Sequence, residues 1–442
     1  MAKAGAAVAA VGLSGQMSAI AARETAVKKL RLAVIGTGIR AIDMWGKDVR
    51  TDYGDLVEFV GLCDPNPGRV KFAGEYIGAN CPTYTDFETM VKQSKPDAII
   101  VTTVDAFHNE YIIKGMQMGC DIITEKPLTI DEVKCQSILD AEKATKRNCI
   151  VTFNYRYSPH RAKLKELLME NVIGRVTSAD FHWYLDIHHG ADYFRRWHRL
   201  RERSGTLLVH KATHHFDLLN WWLDSEPQEI FAYGELEFYG RNNSFRSARC
   251  RDCQFKDKCR FCWDITKDPK LMNLYVANEK HDGYLRDGCV WREDINIYDK
   301  MAVQIKYANK VQVSYSLTTY SPYEGYRIAF CGTEGRLEAW IHEAQPWPME
   351  NYDQIRLTRI FGKTELIKVP QSQGGHGGGD TGMKDKIFRN RNMPDPLKQF
   401  AGTRDGAMSV LIGIAARKSI ESGKPVRIAE LTDLKPQPQR PV

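Results

Sequence analysis

The chain is 442 residues long, carries a formal net charge of +7, and contains 43% hydrophobic and 26% charged residues. This length predicts two domains, and the composition is ordinary for a globular protein. The mild positive charge is spread along the chain, which fits attraction of a small anion, and no stretch is apolar and long enough for a transmembrane helix. We therefore expect neither a nucleic-acid partner nor a membrane span.

Residues 1–28 differ in texture from the rest of the chain. The segment is small, apolar and nearly uncharged, and it contains Ala19-Ile20-Ala21, which is similar to the cleavage site of an export signal. The basic residues that normally precede the apolar part are reduced to Lys3. We predict a truncated export signal, which would make the protein periplasmic or exported. The alternative is a disordered leader on a cytoplasmic protein.

Residues 29–155 repeat a pattern of strand, turn and helix. Short apolar runs predict five strands, and helical segments lie at about 40–50, 66–77, 107–118 and 130–146. This alternation predicts parallel strands joined by helical crossovers, and apolar runs without alternation predict strands buried on both faces. The sequence thus predicts an α/β domain with a Rossmann-type, doubly wound parallel sheet.

A glycine-rich turn follows the first strand of this domain. Gly36, Thr37 and Gly38 stand where a tight turn and a close approach to a pyrophosphate need small residues. Asp64 ends the second strand, where a carboxylate can bind the ribose hydroxyls of NAD and repel the extra phosphate of NADP. Arg69 weakens that preference. Asp64 could instead simply start the turn before Pro65. We predict NAD as the cofactor.

The texture changes after residue 155. A helix over 159–171 leads into a run that alternates polar and apolar residues, RVTSADFHWYLDI, which is typical of a half-buried strand. Further predicted strands are QEIFAYGELEFYG, MAVQIKY, KVQVSYSLTTY, YRIAFCG and RLEAW. Residues 156–425 are therefore predicted to form an α+β domain with a large, mainly antiparallel open sheet. A last helix ends at Gly423 and the tail covers residues 426–442, of which we expect the end KPQPQRPV, residues 435–442, to be extended and loosely held.

Seven of the twelve histidines lie between residues 182 and 215. A neutral imidazole accepts protons near pH 7, so this cluster indicates acid–base chemistry. His210 and His214 are four residues apart and could instead bind a divalent ion from one face of a helix. We expect His215 to lie on the helix surface.

Two further segments carry groups that suit a sugar. Aromatic and basic side chains in the run DIHHGADYFRRWHR can stack on a ring or donate to hydroxyls, and they are Tyr193, Arg196, Trp197 and His198. Alternatively, this run packs on a neighbouring subunit. The run GGHGGGD suggests a loop close to a ligand, with His376 or Asp380 pointing in, or a flexible lid.

Several motifs carry a family resemblance. They are GTGIRA, TTVDAFH, TEKPL, NYRYSP, HHFDLLNWWL and CGTEGRLE. With these motifs the chain beyond residue 30 resembles the glucose–fructose oxidoreductase, inositol dehydrogenase and rhizopine-catabolism superfamily. The resemblance implies reversible hydride transfer at a hydroxyl-bearing sugar carbon, possibly carbon 3, and a homo-oligomer formed through the open sheet. It also implies cofactor contacts from Ile39, Arg40, Thr102, Thr103, His108, Glu125, Lys126, Asn154 and Arg156.

The resemblance also assigns catalytic residues. Lys126 matches a lysine that touches both the nicotinamide ribose and the substrate, although a lysine after a strand is often only a surface residue. His214 matches the catalytic histidine and precedes Asp217, which we place in the substrate site. The family usually has an aspartate where His210 stands here, beside Lys211. We therefore predict His214 as the base, Lys126 and Lys211 as electrostatic partners, and a different arrangement of proton transfer that involves His210.

A cysteine cluster lies in an insertion over residues 245–295. Two Cys-x-x-Cys pairs predict thiolate binding of a structural zinc ion, and their residues are Cys250, Cys253, Cys259 and Cys262. By the resemblance, Cys289 could replace Cys262 as the fourth ligand. An iron–sulfur cluster, disulfides in an exported protein, and free thiols are the alternatives.

Three functions remain open at this point. The first is an NAD-dependent sugar or glycoside dehydrogenase, which the TEKPL motif favours. The second is an NAD-dependent glycoside hydrolase that oxidises transiently, eliminates, hydrates and reduces back; this is what the resemblance of the GGHGGGD run to hydrolases of the same superfamily implies. The third is a non-catalytic NAD-binding subunit, against which the histidine cluster argues.

Overall fold

The computed structural model describes residues 28–441. No helix in this range has the length and apolar character needed to cross a bilayer. The predicted export leader, residues 1–28, falls almost wholly in residues 1–27, outside the described residues, and stays a prediction.

The first domain is a six-stranded parallel sheet with the order β3-β2-β1-β4-β5-β6. Its strands are β1 (Leu30–Ile35), β2 (Val57–Cys63), β3 (Thr83–Tyr84), β4 (Ala98–Val101), β5 (Asp121–Thr124) and β6 (Cys149–Val151). A π-helical segment, Ala41–Asp48, continues into α1 (Val49–Tyr53), and the other helices are α2 (Pro67–Ile77), α3 (Phe87–Ser94), α4 (His108–Gln117) and α5 (Glu132–Thr145). This strand order places a ligand crevice between β1 and β4, where the order reverses. The predicted Rossmann-type sheet is confirmed.

Local chemistry explains where these helices start. The Asn66 side chain accepts hydrogen bonds from the amides of Gly68 and Arg69 at the start of α2, and Asp131 accepts one from Lys134 at the start of α5. Such caps satisfy amides that have no partner inside the helix. The caps fix the helix starts beside the carboxyl ends of the strands, where the site lies.

The second domain is a nine-stranded sheet with the order β14-β13-β12-β11-β7-β10-β9-β8-β15. Only β7 and β10 pair in parallel, so the predicted mainly antiparallel sheet is confirmed. The strands are β7 (Val176–Asp186), β8 (Pro227–Glu235), β9 (Lys300–Tyr307), β10 (Gln312–Ser321), β11 (Glu324–Gly332), β12 (Gly335–Ala344), β13 (Tyr352–Arg359), β14 (Thr364–Pro370) and β15 (Val426–Arg427). The helices are α6 (Pro159–Met169), α7 (Ile187–Arg195), α8 (Arg201–Ser204), α9 (Leu207–His210), α10 (Thr213–Leu223), α11 (Pro269–Leu274), α12 (Glu279–Asp282), α13 (Gly379–Lys384) and α14 (Thr403–Ser422).

Helix α14 joins the two domains. It packs on α5 of the first domain and on α10 and β8 of the second. Just before the helix, Gly402 forms a bridge with Ile150, which adds a short piece of chain to the edge of the parallel sheet. A Cβ on Gly413 would lie 2.4 Å from the Leu208 carbonyl oxygen, so only glycine permits this close packing against α9. The last helix therefore fixes the histidine-bearing segment against the nucleotide domain.

The tail is held rather than loose, so that prediction was wrong. Arg440 is buried and pairs with Asp405, and its amide donates to the Asp224 carbonyl oxygen at 2.9 Å. The amide of Gln437 donates to buried Glu226 at 2.7 Å. Buried carboxylates need partners, and the tail supplies them.

Candidate functional site

The glycine turn has the geometry that a dinucleotide needs. Gly36 has φ +88°, and a Cβ there would lie 2.8 Å from the backbone of Thr102 and Thr103. The amide of Thr37 donates to Asp64 at 2.8 Å, and its hydroxyl lies 3.1 Å from the same oxygen. This brings the Asp64 carboxylate beside the turn, where it can accept hydrogen bonds from a ribose.

A cavity of about 930 Å³ runs from this turn into the second domain. The residues that we predicted for cofactor, substrate or catalysis and that line it are Gly36, Gly38, Ile39, Arg40, Asp64, Thr102, Thr103, His108, Glu125, Lys126, Tyr193, Arg196, Trp197, His198, His210, Lys211, His214 and His376. The two domains thus contribute to one site, with the glycine turn at one end and the histidines at the other.

Four predicted residues do not line the cavity. Arg156 and Asp217 form a buried ion pair, with Arg156 also bonded to Asp405 at 3.1 Å. We therefore do not retain Arg156 as a cofactor contact or Asp217 as a substrate contact. Their motifs lie near the site, but the side chains turn towards each other because a buried charge needs a counterion. Thr37 does not line the cavity either, and its amide and hydroxyl hold the Asp64 carboxylate beside the glycine turn.

Asn154 acts from behind the cavity wall, through Asp380. The Asn154 amide donates to Asp380 at 2.6 Å and contacts His376 at 2.9 Å. Arg40 donates to Asp380 at 3.2 and 3.3 Å and to Glu125 at 2.9 Å. Burial alone would raise the pKa of Asp380, but the His376 hydrogen bond and the Arg40 charge hold it well below its ordinary value. Asp380 of the run GGHGGGD therefore holds the Arg40 guanidinium, which in turn donates to Glu125.

Lys126 follows β5 and lines the cavity. Its ammonium donates to the His210 carbonyl oxygen at 3.3 Å. Burial lowers its pKa to about 8, although the carboxylates of Asp105 and Glu125 act in the opposite direction. A cation at this position can stabilise a developing alkoxide.

Asp105 lines the cavity and was not among the site residues predicted from the sequence. Its carboxylate lies 2.6 Å from Nδ1 of His210, and both side chains are buried. Burial raises the pKa of Asp105 and lowers the pKa of His210, while the positive charges of Lys126 and Arg196 act on Asp105 in the opposite direction and favour its carboxylate. An aspartate–histidine pair is thus present, but it joins Asp105, from the loop after β4, to His210 and not to His214. The aspartate inside the TTVDAFH motif was the sequence signal that could have identified Asp105 as a site residue.

His214 stacks on Tyr155 with ring centroids 4.1 Å apart. Its Nδ1 is buried without a hydrogen-bond partner in the described chain, which leaves Nε2 as the ring nitrogen open to the cavity. Burial first, and then the charges of Lys126 and Lys211, lower the pKa of His214 well below its usual value. Lys211 in turn donates to the Tyr155 hydroxyl at 3.1 Å. His214 is therefore a neutral imidazole that can accept a proton.

His215 is fully buried, so the expectation of a surface residue was wrong. Its Nδ1 lies 2.7 Å from the Tyr315 hydroxyl, and its ring stacks on Trp183 with the ring centroids 3.9 Å apart. Helix α10 is covered on all sides, and a buried imidazole needs such a partner.

The proposed divalent ion between His210 and His214 finds no support in residues 28–441. In this part of the chain, one group of three possible ligands has its donor atoms within 4.8 Å of one another, and its members are Asp186, His189 and Glu324. These three side chains already have hydrogen-bond partners in the chain. Asp186 caps α7 by accepting from the His188 and His189 amides, and His189 Nδ1 lies 2.8 Å from the Glu324 carboxylate. The other ring nitrogen of His189 lies 3.1 Å from the Tyr193 hydroxyl. The group therefore positions Tyr193 at the cavity wall.

The cysteines of the insertion lie near one another but do not form a closed metal site. No disulfide joins cysteines of the described chain. Burial raises the pKa of the Cys262 thiol, and the neighbouring thiols of Cys250, Cys259 and Cys253 raise it further. No three of the sulfur atoms lie within 4.8 Å of one another. The thiols are the donors that zinc prefers, but a bound ion would have to draw them together.

Comparison with known proteins places both domains in one family. A model described as the NAD-binding Rossmann fold of an oxidoreductase family matches residues 30–154, and the C-terminal alpha/beta domain model of that family matches residues 165–428. The Bacillus subtilis (strain 168) protein YteT, named as an oxidoreductase, is 37% identical over 424 residues, which are 90% of this chain and 97% of YteT.

More distant relatives are named as sugar or cyclitol dehydrogenases. An inositol 2-dehydrogenase/D-chiro-inositol 3-dehydrogenase of Lactiplantibacillus plantarum is 23% identical over 201 residues, 45% of this chain and 54% of that protein. The solved structure of a levoglucosan dehydrogenase with NADH and levoglucosan matches with a TM-score of 0.66 at 18% identity, covering 91% of this chain and 100% of that one. This last likeness shows the fold.

Proposed function

Because the chain belongs to the glucose–fructose oxidoreductase, inositol dehydrogenase and rhizopine-catabolism family of NAD-binding oxidoreductases, we propose that it oxidises a ring hydroxyl of a sugar or glycoside with NAD. One observation carries this proposal. A single cavity holds the glycine turn and Asp64 at one end, and Lys126 with the neutral imidazoles of His210 and His214 at the other. Alcohol oxidation needs these three elements: a nucleotide site, a cation and a proton acceptor.

The nucleotide end fits NAD. Gly36 leaves room for a close approach of the backbone, and Asp64 is held by Thr37 in a position to accept ribose hydroxyls. When bound, NAD would supply the nicotinamide carbon that accepts the hydride. Arg40 and Glu125 would then support the cofactor from the cavity floor.

The chain's own residues would handle the proton. His214 takes the hydroxyl proton at Nε2, and the Lys126 ammonium stabilises the oxygen as negative charge develops on it. His210 has its Nδ1 next to Asp105, which orients the ring and leaves its Nε2 for a second substrate hydroxyl or for passing the proton on. The alcohol thus loses a hydride from carbon and a proton from oxygen and becomes a ketone.

Aromatic and charged side chains would hold the sugar. Tyr193, Arg196, Trp197 and His198 line the cavity next to His210. The rings of Trp197 and His198 stack at 3.6 Å, and those of His198 and His210 lie 4.1 Å apart. An aromatic wall with polar edges is suited to a hydroxylated ring. Carbon 3 remains our choice for the oxidised position, by the family resemblance alone.

Redox-neutral glycoside hydrolysis is the second candidate. It is favoured by His376, which belongs to the run GGHGGGD and lines the cavity. Its Nδ1 lies 3.0 Å from the Asp380 carboxylate. A further imidazole there could serve the elimination and hydration steps that hydrolysis adds.

One experiment separates the two functions. The purified protein is incubated with NAD and a panel of sugars, cyclitols and aryl glycosides, and NADH and free sugar are measured together. NADH without sugar release supports the dehydrogenase, whereas sugar release without net NADH supports the hydrolase. Neither signal over the panel would contradict both.

Zinc and self-association complete the proposal. The clustered thiols of the insertion support one structural zinc ion, with Cys262 or Cys289 as the fourth ligand. The outer face of the nine-stranded sheet supports a homo-oligomer, because it exposes Tyr233 and Trp340, which are 70% and 45% exposed. Metal analysis and light scattering of the purified protein test these two points.

A further inference from the structure

The cysteine-rich insertion packs into the nucleotide domain. Leu271, Leu274 and Tyr275, on and just after α11, belong to the same apolar cluster as Trp45 and Val70 of the first domain. The insertion leaves the second domain between β8 and β9, so its α11 crosses from the second domain to the first. The packing places the segment from Tyr275 to Leu285 along the cavity beside the glycine turn.

Tyr275 contacts the glycine turn directly. Its hydroxyl accepts a hydrogen bond from the Ile39 amide at 2.9 Å and lies 3.3 Å from the position that a Cβ on Gly38 would take. The amides at the start of this helix are the donors that a pyrophosphate normally uses. A phenol at this position can donate to the same phosphate oxygens, so Tyr275 stands where a phosphate ligand would meet it.

Asn278 locks the segment onto α2. Its carbonyl oxygen accepts from the Asn66 side chain at 2.9 Å. A Cβ on Gly68 would lie only 1.7 Å from the Asn278 amide oxygen, so this contact requires glycine. The segment is therefore held on the nucleotide domain by side-chain contacts of Asn66 and Asn278 as well as by apolar packing.

Asp282 acts on the arginine that would favour NADP. Arg69 pairs with Asp282 of the insertion, and it also lies 3.6 Å from Asp64. Burial works against the Arg69 charge, but the two carboxylates raise its pKa. An arginine at this place can hold a ribose phosphate. Here two carboxylates already neutralise it, and one of them comes from the insertion.

We propose that the insertion is a third wall of the dinucleotide site. Tyr275 binds the pyrophosphate, and Asp282 keeps Arg69 from a ribose phosphate, so the site takes NAD, rejects NADP and releases its cofactor slowly. This inference rests on the NAD binding proposed above. The cysteine cluster would then hold the insertion together so that its far end stays on the cofactor.

The test is equilibrium binding of NADH and NADPH to the full chain, followed by cofactor fluorescence, with displacement kinetics for release. The variants are Tyr275→Phe and Asp282→Asn. Their matched controls in or next to the insertion are Tyr298→Phe, whose hydroxyl bonds to no described residue, and Asp257→Asn, an exposed carboxylate. Thermal melting checks that each variant is folded.

Tyr275→Phe is expected to weaken NADH binding about 5- to 10-fold and to speed its release, since one hydrogen bond of ordinary net strength is lost. Asp282→Asn is expected to tighten NADPH binding by a similar factor and to leave NADH binding nearly unchanged. If wild type binds NADH and both variants match their controls, the insertion is not part of the site. If wild type binds neither nucleotide, the proposed function itself is contradicted.

Discussion

Asp105→Asn is the most informative substitution in the catalytic region. Asp105 lies 2.6 Å from His210 Nδ1, and it is also the first of the neighbouring charges that raise the pKa of Lys126. The carboxamide keeps the size of the side chain and one acceptor oxygen, so the change removes charge rather than shape. Two separate properties of the site should therefore respond.

The first response is in rate. A hydrogen bond to a charged group contributes about 1.5–3 kcal/mol, and each 1.4 kcal/mol is about a factor of ten, so kcat/KM should fall about 10- to 150-fold. Both side chains are buried, so little of this interaction is lost to solvent screening. NADH binding should not change, because Asp105 acts on the histidine end of the cavity.

The second response is in pH dependence. Burial lowers the pKa of Lys126 to about 8, and we expect kcat/KM to fall as pH rises through that value because the stabilising ammonium is lost. Removing Asp105 removes a negative charge that favours the ammonium. The alkaline limb of the profile should therefore move to lower pH in the variant.

Steady-state kinetics with the best substrate of the panel, from pH 6 to about 10, measure both responses. The matched control is Glu110→Gln, which removes a carboxylate from the exposed surface of nearby α4, where it pairs only with Lys114. An Asp105→Asn enzyme with the rate and the pH profile of this control would refute the role assigned to Asp105.

Three further outcomes follow from the same contacts. Lys126→Met should lower kcat/KM by at least about 100-fold, since it removes the oxygen-stabilising cation, while fluorescence titration shows that the variant still binds NADH. Asp217→Asn should lower the free energy of unfolding by about 3–5 kcal/mol in urea titrations, because Arg156 loses a buried partner. Elemental analysis should find about one zinc per chain, lost in Cys259→Ser but retained in Cys331→Ser, whose cysteine lies outside the cluster. Wild-type protein without metal would contradict the zinc site.

The nucleotide domain could be predicted closely because its signals are local. Apolar runs, caps and the glycine turn sit within a few residues of one another, and the predicted helix at 66–77 is observed as Pro67–Ile77. Strands β13 and β14 were missed. β14 is the edge strand, is mostly exposed and carries little apolar pattern, whereas β13 lies between β14 and β12 and has an alternating pattern that was overlooked.

Long-range pairings could not be predicted. Asp105 and His210 are 105 residues apart, and only the fold brings them together. The same limit explains Arg156 and Asp217, whose motifs were found but whose side chains face each other. Tyr275 was missed for a third reason, since nothing in the insertion's own sequence tells that its far end reaches the glycine turn.

The most direct measurement of the central claim is hydroxyl-dependent reduction of NAD. Purified protein, NAD and the panel of sugars, cyclitols and glycosides are combined, NADH is followed by absorbance, and the ketone product is identified by mass spectrometry. The account predicts NADH and ketone in equal amounts with at least one compound, and loss of both in Lys126→Met. NADH formation that persists in Lys126→Met and in His214→Ala would contradict it.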